Sequence, residues 1–274
     1  MSTIALPYLS AARVSGPDAH AFLQGQLSAD ISGLQERHAT LACYCSPRGR
    51  VLGLLLVIRT GGDYLAVGSA SLLPGMMKRL QLYVLRAQVH IDLAPELTVV
   101  GLGAVDSKGS EPPGFSPPGI GLTYDVQSGA APSEAPAEEW KALELARGVA
   151  WLGPETTERF IPQMLGFERI GAVSFSKGCY PGQEIIARAK HLGRVKRRPQ
   201  RLLAESGPIA PGSSVRLIAG GQSLDGTVVE GVAAGASGDG SAGQTLLMVV
   251  SAEPSDPIES LEYEGRSYGC ATME

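Results

Sequence analysis

The sequence predicts an α+β protein in which small helix-and-sheet layers are followed by a C-terminal antiparallel β-barrel or sandwich. Three observations predict it. Over residues 39–103, strand-length apolar runs surround one amphipathic helical stretch, the pattern of a helix covering one face of an antiparallel sheet. From Arg201 onward the chain breaks into short β segments separated by Gly- and Pro-bearing turns, as in compact all-β units. Glycine (35) and proline (19) are abundant in the 274 residues and aromatics make up only 5%. Short elements with aliphatic cores are therefore expected, and a chain of this length is expected to divide into two or three domains.

In chain order, Ser15-Gly16-Pro17-Asp18 reads as a helix start, with Ala-His-Ala-Phe-Leu-Gln following and a stop at Gly25. Residues 39–45 form a short apolar strand, and Ser46-Pro47-Arg48-Gly49 supplies a turn. Arg50 to Arg59 reads as a buried strand, with Tyr64 to Val67 as its hairpin partner across Gly61-Gly62-Asp63. Leu72 to Val84 places Leu73, Met76, Met77, Leu80 and Val84 on one helical side. Strands over 87–93 and 97–103 come next. Residues 106–119 and 127–137 are rich in Pro, Gly, Ser and Ala and read as surface loops. A helix over Glu138–Gly148 is expected to turn Trp140, Leu143 and Leu145 inward. The barrel segments are placed at 201–204, 213–218, 224–231, 244–251, 258–263 and 266–271.

Composition excludes several functions. A net charge of −4 offers no general nucleic-acid-binding surface, and direct nucleic-acid binding is not expected. No apolar run reaches the ~18 residues of a membrane span, and residues 1–12 lack the basic start and apolar stretch of a secretory signal. A cytoplasmic monomer is expected, or one in an organelle matrix if a transit peptide was trimmed. Cys43, Cys45, Cys179 and Cys270 form neither a disulfide framework nor a paired zinc pattern. His20, His38, His90 and His191 are scattered, so no stable metal is expected. No Gly-x-Ser-x-Gly or Walker-type loop is present.

The chemistry concentrates in Phe175-Ser176-Lys177-Gly178-Cys179-Tyr180-Pro181-Gly182-Gln183-Glu184, running into Ile185-Ile186-Ala187-Arg188. One cysteine lies in a Gly/Pro-rich turn just before an expected helix, whose free N–H groups and dipole favour a thiolate. Lys177 is expected to add to that effect. Downstream, Arg188, Lys190, Arg194, Lys196, Arg197, Arg198 and Arg201 follow with no acid between Ile185 and Ala204. This run reads either as a solvated face at a domain junction or as an anion-attracting rim. Lys177, Arg188, Arg194, Lys196, Arg197 and Arg198 are its candidate ligand-facing members.

The string Lys177-Gly178-Cys179-Tyr180-x-Gly182-Gln183-Glu184 resembles the defining motif of the YgfZ family. Phe22-Leu23-Gln24-Gly25-Gln26-Leu27-Ser28-Ala29-Asp30, Ser46-Pro47-Arg48-Gly49-Arg50-Val51-Leu52 and Arg159-Phe160-Ile161-Pro162-Gln163-Met164 extend the likeness over most of the chain. The resemblance implies a three-domain aminomethyltransferase-like ring: a split folate-binding domain (1–47 and 113–197), an inserted ferredoxin-like domain (48–112) and a C-terminal antiparallel β-barrel domain (198–274). It further implies tetrahydrofolate, or a derivative, in a central cavity. The implied role is assembly or repair of Fe–S clusters in client enzymes, including Fe–S-dependent tRNA modification, with Fe–S client or assembly proteins as partners and Cys179 as the functional thiol.

One departure separates the chain from the related glycine-cleavage aminomethyltransferases, which carry paired acids shortly after a Gly-Gly turn. Here the run is Arg48-Gly49-Arg50-Val51-Leu52-Gly53-Leu54, with no acidic residue between Glu36 and Asp63. An active aminomethyltransferase is therefore not expected. A folate-dependent one-carbon transferase and a non-catalytic folate-binding scaffold stand as the alternatives.

Overall fold

The computed structural model describes residues 3–102, 114–131, 133–191, 193, 195–234 and 244–273. The elements run β1 (Thr3–Ala5), β2 (Leu9–Ser15), α1 (Ala19–Gln26), β3 (Ala39–Cys45), β4 (Val51–Thr60), β5 (Asp63–Ser69), α2 (Leu73–Gln81), β6 (His90–Leu93), β7 (Leu97–Leu102) and β8 (Tyr124–Ser128). They continue with α3 (Ala137–Ala146), a 3-10 turn at Pro162–Met164, α4 (Gln183–His191), β9 (Arg197–Ala204), β10 (Ser214–Ala219), β11 (Gln222–Ala234), β12 (Gln244–Ala252), β13 (Ile258–Tyr263) and β14 (Arg266–Thr272).

Three units result. The first is a five-stranded antiparallel sheet of order β3-β4-β5-β2-β6. With α1 after β2 and α2 after β5, it is a ferredoxin-like layer extended by β3. The second is a short sheet of order β1-β7-β8 with α3. The third is a closed six-stranded barrel of order β10-β11-β12-β9-β14-β13.

The ferredoxin-like unit departs from the 48–112 boundaries. β2 and β3, placed in the split domain by the resemblance, pair directly with β5 and β4. A boundary at 47/48 would cut the hairpin that pairs Ala39 with Ile58 and Cys45 with Val51. β7, placed in the inserted domain, instead pairs with β1 and β8. Backbone hydrogen bonding sets these memberships, and hydropathy does not encode which strand is whose neighbour.

β4 shows why its apolar run is unbroken. Val51, Leu54, Leu56 and Ile58 enter one core, whereas Leu52, Leu55 and Val57 enter another. Successive strand residues point to opposite faces, so a strand covered on both sides loses its polar alternation. α2 covers one face with Leu73, Met76, Met77 and Leu80, as its spacing predicts. The other face receives α3, the β1-β7-β8 sheet and the segment that leads into α4.

α3 corrects one expectation. Trp140 and Leu145 are buried as predicted, but Leu143 is exposed and Glu144 takes an inward position. β1, β2 and β8 were not anticipated, because short strands with mixed composition carry little periodic signal. Of the two expected loops, residues 106–113 lie outside the described residues, as does 132, and 127–128 belong to β8.

Candidate functional site

The motif segment is held from three directions. Ser28, fully buried, knits them together: its Oγ donates to the Ala172 carbonyl (2.6 Å) and accepts from Cys43 N–H (2.8 Å), while its own carbonyl accepts from Ser174 N–H (2.8 Å). The turn joining β3 to β4 then receives the motif glycine. Gly182 has φ +82°, and a Cβ there would stand 2.5 Å from the Ser46 carbonyl oxygen and 2.7 Å from Gly49 Cα. Only glycine permits both this conformation and this approach. The sequence run 46–50 and the cysteine motif are thereby brought together.

Lys177 is buried, and its Nζ donates to the carbonyls of Gln24 (2.6 Å), Leu27 (2.7 Å) and Ala29 (2.8 Å). These carbonyls lie at and just beyond the end of α1, where helix acceptors lack internal partners. An ammonium has three protons to give, and all three are committed. Lys177 therefore ties α1 to the motif; it is not placed to face an anion or to assist a thiolate at Cys179. Burial pulls its pKa down to about 8, opposed by Asp30. Asp30 itself is held below its usual range, first by hydrogen bonds from Ser32 and Gln24.

Tyr180 is buried as well, its ring 5.5 Å from Lys177 Nζ. Its hydroxyl is orphaned among the described residues and is pushed up by burial, with Cys45 and Cys43 adding. Cys43 and Cys45 are buried on one face of β3. The Cys45 thiol is raised first by its hydrogen bond with Cys43 and then by burial. They are core residues, not surface ligands.

Between these anchors, Cys179 is exposed. Gly178 has open space around it, and Gln183 Nε2 donates to the carbonyls of Lys177 (3.2 Å) and Gly178 (3.3 Å). The motif thus builds a loop anchored by inward side chains at 177 and 180, with an accessible thiol between them. Among the described residues no N–H donates to its Sγ. Glu184, exposed in the first turn of α4, pairs with Arg188 at 2.9 Å, a contact worth little at that exposure.

The basic run does not act as one rim. Arg198 bonds Glu168 (2.9 Å) and the Gln163 carbonyl (3.3 Å), and Arg197 donates to the Val250 carbonyl (3.2 Å). Lys190 lies 3.7 Å from the Phe175 ring centroid. Lys196 and Arg188 are exposed, and Arg194 lies outside the described residues. Interleaving with barrel strand β9, which begins at Arg197, commits the last members of the run to packing.

A second polar cluster was not anticipated. A cavity of about 310 Å³ is lined by residues of all three units, among them Tyr8, Ser69, Ser71, Lys141, Trp151 and Glu230. Lys141 pairs with the buried Glu230 at 3.1 Å and stands 5.3 Å from the Tyr8 ring centroid. Behind this wall is Glu144, wholly buried, accepting from Tyr8 Oη, Tyr124 Oη and Trp151 Nε1, each at 2.8 Å. Burial raises Glu144 from 4.5 to about 7, against these three donors and Lys141. A lone acid between Leu143 and Leu145 is the only sequence signal for it, and that signal reads equally well as an exposed helix position.

β4 carries no carboxylate; at Gly53 the Met76 thioether lies where a side chain would begin, 2.5 Å from the position of a Cβ, and would have to turn aside to admit one.

No family model matches the chain. It is similar to the tRNA-modifying protein YgfZ of Klebsiella pneumoniae (29% identity over 217 residues, 68% of this chain and 66% of that one) and of Colwellia psychrerythraea (28% over 223 residues, 71% and 69%). An uncharacterized protein of Haemophilus influenzae is 30% identical over 204 residues, 71% of this chain and 70% of that one. The Klebsiella match thus spans just under two thirds of its relative's length. In structure, the chain is similar to the glycine cleavage system aminomethyltransferase T of Bartonella henselae, with a TM-score of 0.68 at 15% identity over 99% of this chain and 84% of that one. With the motif loop seated on the β3–β4 turn, these matches to YgfZ proteins and the shared aminomethyltransferase fold place the chain in the YgfZ family.

Proposed function

We propose that this protein binds tetrahydrofolate, or a derivative, and supports assembly or repair of Fe–S clusters in client enzymes of the kind that modify tRNA, with Cys179 as its functional thiol. The observation that carries the reading is the placement of Cys179. The loop spends two buried side chains, Lys177 and Tyr180, and a glycine-only contact at Gly182 on holding one thiol in solvent. A cysteine kept for packing would be buried, as Cys43 and Cys45 are. The Klebsiella and Colwellia relatives are tRNA-modifying proteins, which supports the link to tRNA modification.

The cavity walled by all three units suits a reduced pterin. Tyr8 and Trp151 offer aromatic surface, Glu230 an acceptor for an amino-lactam edge, and Lys141, Ser69 and Ser71 donors. Bound there, the reduced pterin would supply one-carbon or redox chemistry. Aminomethyl transfer is the weaker alternative, because β4 carries no acid.

Calorimetry with tetrahydrofolate is expected to show saturable binding by the wild-type protein and by Cys179→Ser. The same variant is expected to melt normally yet fail to restore an Fe–S enzyme in cells lacking the protein. Absence of heat at high micromolar ligand would remove the folate reading, and full cellular activity of Cys179→Ser would remove the thiol assignment.

A further inference from the structure

A separate cavity of about 400 Å³ lies where the C-terminal end of α3, the turns at 165–170 and barrel strands β9 and β12 meet. Arg147, Arg169 and Arg201 line it, and among the described residues no carboxylate does. Arg147 and Arg201 are each held by one nitrogen: Arg147 Nη1 donates to the Ile120 carbonyl (2.6 Å) and Arg201 Nη1 to the Ala146 carbonyl. A guanidinium has five N–H donors, so each keeps others for a ligand. Arg169 is exposed; its backbone N–H donates to the Gly166 carbonyl (2.9 Å), and among the described residues its guanidinium makes no hydrogen bond or ion pair. The neighbouring acid, Glu168, is committed to Arg198 at 2.9 Å.

The backbone also makes room for this arrangement. Gly121 has φ +62°, and a Cβ there would lie 2.6 Å from Arg147 Nη1. Three like charges around one cavity repel each other, and the chain as a whole is acidic, with a net charge of −4. A surplus of basic residues therefore does not explain the cluster. The two neutral carbonyls it bonds, Ile120 and Ala146, offset only part of its charge. Leu165, Ile170 and Met248 supply an apolar floor.

We propose that this cavity is a binding site for a small polyanion carrying at least two phosphate or carboxylate charges. It is distinct from the cavity that holds Tyr8 and Lys141, and it does not rest on the folate reading.

Calorimetric titration with inorganic pyrophosphate and with citrate, without folate, tests it. One-to-one binding with a dissociation constant of about 1 mM or tighter is expected at low salt for at least one probe. Preference for pyrophosphate would assign the site to phosphates and preference for citrate to carboxylates. Arg169→Glu, at an exposed position, is expected to weaken binding at least tenfold without moving the melting temperature, and Arg201→Gln to weaken it as well. Binding is expected to fall with salt, since exposed charges are screened over about 10 Å at moderate ionic strength. The proposal is overturned by no saturation with either probe, by unchanged affinity in Arg169→Glu, or by loss of binding in Lys196→Glu alone.

Discussion

Glu144→Gln is expected to abolish a pH dependence of stability that the wild-type protein carries. In the folded state the Glu144 carboxyl titrates at about 7 instead of 4.5, because burial disfavours its charge. Between those values the folded state holds more protons than the unfolded chain. The contribution is therefore fully present below pH 4.5 and is lost as pH rises through 7. For one such group, the loss between pH 5 and pH 8 is on the order of 2 to 3 kcal/mol. Glutamine keeps the local bonding. Its oxygen accepts from Tyr124 and Trp151, as Glu144 Oε1 does, and its amide donates to Tyr8 Oη in place of receiving from it. Urea unfolding of both proteins at pH 5 and pH 8 isolates the effect, because Glu230 and every other titrating group is common to both. The two tryptophans, Trp140 and Trp151, are buried beside the site and report it by fluorescence. The wild-type midpoint should fall relative to the variant as pH rises. Parallel behaviour of the two proteins across this range would refute a raised Glu144 pKa, and with it the account of the buried cluster.

Two further outcomes follow from the motif. Lys177→Met leaves three carbonyls at the end of α1 without their donor and is expected to destabilise the protein by about 3 kcal/mol or more, read as a fall in the denaturation midpoint. Gly182→Ala forces a side chain onto the Ser46 carbonyl at φ +82°; it is expected to lower the melting temperature and to speed alkylation of Cys179 by loosening the loop, whereas an unchanged melt would show that the turn-to-motif contact is not needed.

Much of the local structure is legible in the sequence. The spacing of Leu73, Met76, Met77 and Leu80 finds α2 and its buried side. The barrel segments at 258–263 and 244–251 match β13 and β12 to within a residue, because Gly- and Pro-bearing turns punctuate them. β9 starts four residues before the segment at 201–204, since the charged stretch Arg197–Arg198 pairs with Ser251 and Ala252 and looks like loop by composition. Leu143 and Glu144 exchanged their expected environments because three donors from distant segments, Tyr8, Tyr124 and Trp151, converge on the carboxylate. Such convergence has no local signature.

The sequence by itself determined the α+β class, the terminal barrel and the importance of the segment from Lys177 to Glu184, because strand and helix periods, turn residues and a dense motif are local properties. Tertiary structure alone decided which strands share a sheet, that Lys177 serves α1 while Cys179 meets solvent, and that Arg147, Arg169 and Arg201 surround one cavity. Each of these depends on hydrogen bonds or packing between residues far apart in the chain, and the free energy of such contacts is set by geometry that no single segment contains.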